Sequence, residues 1–467
     1  MLRRLVGAAA MAALFFSIVA RPVPVSAQTP TSVLVVGGTP AGVAAAVSAA
    51  RAGSDVTLVA ARPQLGGILT DAMMDQWDLN LAPDGGAIQS GLFREIYAEL
   101  GDAFTPGDAA RVFLGLVQRE PRIHLITEAR PVDVRTSAQI VGRAVDGVRF
   151  TRANGGTFEI DAREVIDATD DGDVAALAGA RYDVGRQDTG ADEKMQPVTL
   201  MFTLHDLDWS RLVSGYDSAR YGAGGATDKR AWGYATLLRA YHPLSPDVVV
   251  RDLNLGREPG GDVTANAIDV LGIDGRSVTD LARARALSEA ETPHLIAFLR
   301  GHLPGFEDAT LGRYASAVYV RETRHFAGVA RLTSEAIWDG TIPDDTIGLS
   351  SYPLDLHPVT AGDRLAYAPT RHVYGVPFGT LVPRDLTNLL LASPAISATH
   401  IAAGSARVIP TTIEEGEAAG IAAALAGQTG MTFPAMARSV TALDDVQDAL
   451  ERNGVILSYG RSGRTFG

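Results

Sequence analysis

The 467-residue chain contains no cysteine. That excludes a dithiol redox centre, a thiolate nucleophile, cysteine-ligated metal and disulfides together, so any redox chemistry must be carried by a bound cofactor. Its nine histidines are scattered, with no H-x-x-H pair and no carboxylate cluster at metal-ligand spacing, and no metal site is expected. Positive charge is scarce: 41 Lys and Arg stand against 54 Asp and Glu, a net charge of −13. A surface this acidic repels phosphate backbones and anionic lipid, which argues against nucleic-acid and membrane-surface partners. The apolar run near the N-terminus, Val6 to Ala20, is 15 residues, short of the roughly 20 that span a bilayer.

That run is flanked by Arg3-Arg4 and by the small residues Val25-Ser26-Ala27, the pattern of a cleaved signal peptide over residues 1–27, with the mature chain starting at Gln28. Arg3-Arg4 fits a twin-arginine signal and an ordinary secretory start equally well. The reading implies a periplasmic or secreted protein with no membrane insertion after cleavage. Without Arg3, Arg4 and Arg21 the mature chain keeps 38 Lys and Arg against 54 Asp and Glu, a net charge of −16.

What is present begins with "VLVVGGTPAG", Val33–Gly42. An apolar strand, Val33–Val36, leads into a glycine turn and then an Ala-rich helix over Ala41–Arg51, closed by Gly53 and followed by a strand at Asp55–Val59. This is a β-α-β unit of dinucleotide-binding type, with Gly37 and Gly42 as the first and third glycines of G-x-G-x-x-G and Thr39 at the second. Thr39 precedes Pro40 and so is placed as the helix N-cap, its oxygen accepting from a first-turn N–H and its proton free for a phosphate. Gly38 and Ala41 complete a turn whose helix dipole attracts an anion. After the second strand, where an acid usually meets the ribose, stands Ala60, with Arg62 as the nearest polar group for a ribose or 2′-phosphate.

Further along, helices are expected around Gly91–Leu100 and Ala109–Glu120, then short strands from Ile123 to Ile166 with a turn at Asn154-Gly155-Gly156. The organisation expected is α/β, a discontinuous Rossmann-like nucleotide domain with an inserted α+β substrate domain. Its parts are residues 28–185, an insertion over 186–371, a return over 372–430 and a C-terminal extension over 431–467.

The glycine turn, "LGGILT" at Leu65–Thr70, "IDATDDGDVAALAGARY" at Ile166–Tyr182, "VRETRHFAG" at Val320–Gly328, "DLHP" at Asp355–Pro358 and "SATHIAAGSARVIP" at Ser397–Pro410 together resemble the FAD-dependent oxidoreductases. These belong to the fumarate-reductase-like flavoproteins, some of which are labelled xanthan lyase. The resemblance spans residues 31–426 and implies FAD as cofactor. It implies that Gly66 and Gly67 pass backbone against the isoalloxazine, that Asp167, Ala168 and Thr169 close the nucleotide pocket, and that the helix beginning at Pro410, preceded by Val408, aims its positive end at the flavin. Ala60 departs from the family pattern, and so does Asp170, which stands where a glycine often follows "DAT".

Arg321, Arg324, His357 and His400 fall in or near these motifs. Arginine forks suit carboxylated or polyhydroxylated substrates, and Arg321 and Arg324, three apart, are expected on one helix face. His400, in the loop before the last helix, is the candidate for acid/base work. The function implied is hydride transfer between flavin and a small polar molecule, with electrons passing to an unknown acceptor. The alternative is a flavin fold without redox turnover, serving as a carbohydrate-binding or lyase-like module.

Overall fold

The computed structural model describes residues 31–363, 366–369 and 372–459. The proposed signal peptide lies outside the described residues. Strand β1 (Thr31–Val36), helix α1 (Pro40–Arg51) and strand β2 (Val56–Val59) form the β-α-β unit expected from the apolar run and the glycines. Helices α2 (Leu92–Leu100) and α3 (Pro106–Gln118) follow, the latter opened by a Thr105/Asp108 capping box. Strands β3 (Ile123–Ile126), β4 (Ala129–Ala138), β5 (Arg143–Arg152) and β6 (Thr157–Asp167) complete the main sheet, in the order β3-β2-β1-β6-β5-β4, and a late strand, Leu389–Leu391, adds on β6.

β6 does two jobs. Its first half pairs antiparallel with β5, and its second half runs parallel to β1. The registers Val36↔Val59 and Val36↔Asp167 bring the carboxyl ends of β1, β2 and β6 to one level, the crevice where open α/β sheets bind ligands. Behind that crevice α1 packs on a 21-residue helix, Ile409–Thr429. The two backbones touch, because a Cβ at Gly416 would stand 2.2 Å from the Ala41 carbonyl oxygen and one at Gly420 would stand 2.3 Å from that of Ala45. This helix opens at Ile409, so Pro410, expected as its first residue, is the second, where a missing N–H is still harmless.

A second hydrophobic core draws on residues from Val198 to Ala309, including Phe202, Trp209, Tyr221, Leu255 and Leu295. It lies between a six-stranded sheet and the 25-residue helix Val278–His302. The chain then rejoins the first core, to which Phe326, Leu332, Ile337 and Leu354 belong, although the expected insertion reached 371. Short strands such as Arg324–Phe326 and Thr346–Ser350, three and five residues long, gave this return the look of loop. The C-terminal stretch also packs on the first core through Phe433, Val446 and Leu450. Among the described residues no helix is long and apolar enough to cross a membrane.

The long helix buries three carboxyls, Glu414, Glu415 and Glu417. Glu414 Oε1 accepts from the Ser90 N–H and hydroxyl, both at 2.9 Å, while Oε2 has no hydrogen-bond partner among the described residues. Burial pushes Glu414 up to about 8 against the pull of the Ser90 bonds. Between its unfolded value, about 4.3, and about 8, the folded chain holds a proton that the unfolded chain has lost, so stability falls as pH rises through that window. Glu414→Gln removes the titration. Its stability relative to the parent is expected to improve by an amount on the order of 2–4 kcal/mol between pH 5 and pH 8. Chemical denaturation at both pH values checks this, and a constant difference would contradict it.

Candidate functional site

The first site residues come from the turn after β1. Gly37 has φ +129°, and a Cβ there would meet the Ala168 carbonyl oxygen at 2.1 Å, so only glycine lets the ends of β1 and β6 approach this closely. Gly42 is equally constrained, with the Gly37 carbonyl oxygen 2.0 Å from a Cβ. Thr39 caps α1 as expected, its hydroxyl oxygen accepting from Gly42 N at 3.1 Å. Its proton does not face a phosphate. It is donated to the Ala168 carbonyl oxygen at 2.9 Å, at the end of β6 that the glycine turn packs against. Gly66 N donates to Gly38 O at 2.8 Å and ties the second glycine loop to the first.

A cavity of about 580 Å³ runs along these elements. Gly37, Gly38, Thr39, Pro40, Ala41, Arg62, Gly67, Thr169 and Val408 all line it, with Ala60, Arg130, Ile409 and Thr412. Two helix N-termini, those of α1 and of Ile409–Thr429, therefore open on one space. Gly42, Gly66, Asp167, Ala168 and Pro410 do not line it and stand behind its wall. Asp167 serves the fold: Oδ1 accepts from Thr169 N and hydroxyl, and Oδ2 accepts from Ala175 N at 2.8 Å. Burial outweighs these bonds and raises Asp167 to about 7.

A second cavity, of about 850 Å³, lies between the two cores and is lined by polar groups, among them Arg239, Arg251, Asp252, Asn254, Asn266 and His357, with Trp232 on one wall. Met74, Asp78, Tyr319, Arg321 and Arg407 line both cavities and form their common wall. Here the charges interlock. Arg407 Nη1 donates to the Tyr319 hydroxyl oxygen at 2.6 Å, and Nη2 donates to Asp355 at 3.1 Å. The buried Arg321 guanidinium lies over the Tyr319 ring, 4.7 Å from its centre, and donates to Pro197 O and Thr199 Oγ1 while pairing with Asp269 at 3.2 Å. His357 Nδ1 meets the other Asp269 oxygen at 2.8 Å. Burial alone would push Asp269 up, but Arg321 and His357 overcome it and hold it well below the usual carboxylate range. Burial raises Asp78, whose carboxylate accepts from the Tyr352 hydroxyl at 3.1 Å.

Arg321 and Arg324 share no helix face. The segment is extended, entering the strand Arg324–Phe326, so Arg321 reaches the cavity wall while Arg324 turns to Asp173 at 2.9 Å and the Asp171 carbonyl. His400 lines neither cavity. It is the first residue of the helix His400–Ala406, and its Nδ1 lies 2.6 Å from Glu322 Oε1, the oxygen that also meets His325 Nε2 at 2.8 Å. Burial opposes the charge on Glu322, yet the two imidazoles hold it low. The fold thus brings the distant His400 to Glu322 and His325, with both imidazoles at hydrogen-bond separations around one oxygen. Asp78, Tyr319 and Arg407 were not singled out in the sequence. Arg407 stands inside "SATHIAAGSARVIP" and Tyr319 just before "VRETRHFAG", whereas nothing local marks Asp78.

Residues 32–450 match the family model of FAD dependent oxidoreductase. The chain belongs to that family. FAD is therefore its cofactor and redox chemistry its activity, and the cavity fits the group, running along the glycine turn and opening on two helix N-termini for its negative charge. No curated protein matches the sequence. Among solved structures the chain is similar to a flavin-dependent brominase (9% identity, 91% of this chain and 84% of that one, TM-score 0.46). It is also similar to a geranylgeranyl bacteriochlorophyll reductase-like protein from Thermoplasma acidophilum (14%, 91% and 84%, 0.43). A third is p-nitrophenol 4-monooxygenase from Pseudomonas putida DLL-E4 (14%, 65% and 70%, 0.37).

Proposed function

We propose that this FAD-dependent oxidoreductase transfers hydride between the flavin and a small polar substrate, carboxylated or polyhydroxylated, seated in the second cavity. The observation that carries this reading is the common wall, where Met74, Asp78, Tyr319, Arg321 and Arg407 border both spaces. FAD would be held by the Gly37–Ala41 turn and α1 at its diphosphate and by the N-terminus of Ile409–Thr429 at its ring, and it supplies a two-electron acceptor or donor. The chain's own part is binding and proton movement. Arg251 offers donors to an anionic or hydroxylated substrate, and the buried Arg321, fixed by Asp269, adds positive charge to the wall. Tyr319 receives a hydrogen bond from Arg407, which leaves its own proton free to be donated. It is the group we assign to proton exchange with the substrate hydroxyl. The Trp232 ring gives the far wall an apolar face for the carbon skeleton.

Export is part of the same proposal, supported by the Arg3-Arg4 start, the apolar run and Val25-Ser26-Ala27. A screen of small alcohols, sugar acids and amino acids against the oxidised protein under anaerobic conditions tests the reaction. At least one is expected to bleach the flavin absorbance. Bleaching by dithionite alone, across a broad panel, would favour a fold without turnover.

A further inference from the structure

Besides Asp78 on the common wall, four carboxylates, Asp71, Asp170, Asp171 and Asp173, line the cavity proposed to take the diphosphate of FAD. Three of them are engaged by the protein. Asp71 accepts from the Ser316 hydroxyl at 3.3 Å and faces Arg62, Asp171 accepts from the Thr323 hydroxyl at 2.7 Å, and Asp173 pairs with Arg324 at 2.9 Å. Asp170 has no hydrogen-bond or ion-pair partner among the described residues and opens into the cavity. The charged groups that face it are all acids: Asp171 and Asp173 from its own loop, and Asp71 from the segment after the second glycine loop. Arg62 and Arg130 also line the cavity but neither offsets the charge on Asp170, and the cations beside its loop are occupied elsewhere. Arg285, on the helix Val278–His302, donates to Ala315 O and Ser316 O and pairs with Glu289, and Arg324 is bound to Asp173 and Asp171 O. An ionised Asp170 would meet a diphosphate as bare like charge in a confined space, whereas a protonated one offers a donor at the place where donors are wanted.

We propose that Asp170 is a contact for the diphosphate–ribose segment of FAD that works protonated, donating its acid proton to a cofactor oxygen, so that FAD binding draws a proton from solution. The protein around the cavity and the three neighbouring acids push Asp170 up to about 7 although the side chain itself is exposed to the open cavity, so its protonation changes across the neutral range.

Linkage then fixes the sign. Above about pH 7 the free protein must take up a proton to bind FAD, so affinity falls as pH rises. The test uses apoprotein of the full chain, titrated with FAD and followed by flavin fluorescence. Between pH 6 and pH 8 the FAD Kd of the parent is expected to rise by up to about tenfold, and ADP, which carries the same diphosphate and ribose, should show the same slope. Asp170→Asn, which keeps the shape and an N–H donor but cannot titrate, should flatten the profile. Asp170→Ala should bind FAD about tenfold more weakly than the parent at pH 6, where the acid is neutral in both accounts. A slope that survives in Asp170→Asn would overturn the proposal. So would Asp170→Ala binding as tightly as the parent at pH 6, because Asp170 would then be only a repelling charge. Circular dichroism of each variant establishes folding, and if the alanine variant does not fold, the slope of the asparagine variant decides.

Discussion

Gly37→Ala is expected to yield a colourless protein, with FAD affinity reduced by more than about 100-fold and stability lowered by at least about 4 kcal/mol. Two constraints act at this one position. The φ of +129° is open to glycine and strained for alanine, and a Cβ would sit 2.1 Å from the Ala168 carbonyl oxygen and 2.8 Å from Thr169 N, both backbone atoms. Neither neighbour can yield cheaply. Ala168 O is also the acceptor of the Thr39 hydroxyl, so moving it disturbs the residue that caps α1, the helix whose N-terminus is proposed to hold the diphosphate. Gly427→Ala is the matched control, since nothing lies within 4 Å of a Cβ there and a helical alanine is worth up to about 1 kcal/mol over glycine. Flavin absorbance per chain and a denaturation curve for both variants check the pair. Full FAD loading in Gly37→Ala would mean that the turn does not hold the cofactor.

Tyr319→Phe is expected to slow anaerobic flavin reduction by substrate about 10²–10⁴-fold while leaving flavin content unchanged. The hydroxyl stands on the wall between the cavities, and Arg407 donates to it at 2.6 Å, a contact that stabilises negative charge developing on the oxygen as its proton moves. The ring stays in place under Arg321, so phenylalanine removes the proton path and little packing. Stopped-flow reduction at equal flavin loading measures the effect with a substrate from the screen. A wild-type rate would return acid/base work to another group, with Asp78 next in position. A loss of flavin along with rate would instead point to a structural role for the Tyr319–Arg407 contact.

The nucleotide half of the site was legible because its signals are local. An apolar run, Gly37, Gly42 and the Thr39-Pro40 cap specify strand, turn and helix within about a dozen residues, and the strand ends then align by register alone. The resemblance extended this to Gly67, Thr169 and Val408, which line the same cavity. The substrate half was less legible because it is assembled across distance. Arg321 meets Asp269, Arg407 meets Tyr319 and Asp355, and Tyr352 meets Asp78, contacts between segments that share no pattern in the chain. Spacing misled most at "VRETRHFAG", where three residues apart suggested a helix face and an extended segment sends Arg321 and Arg324 to different partners. His400 shared a motif with the long helix but turns to Glu322, a buried carboxylate more than seventy residues away that only the fold brings to it.

The account rests on FAD lying between the Gly37 turn and the helix Ile409–Thr429, and the most direct measurement is the identity and stoichiometry of the bound flavin. Purified chain, reconstituted with excess FAD and FMN together and freed of unbound flavin, is denatured by heat, and the released flavin is separated by chromatography. The account predicts FAD at one equivalent per chain. FMN in its place, or no flavin retained, would contradict it.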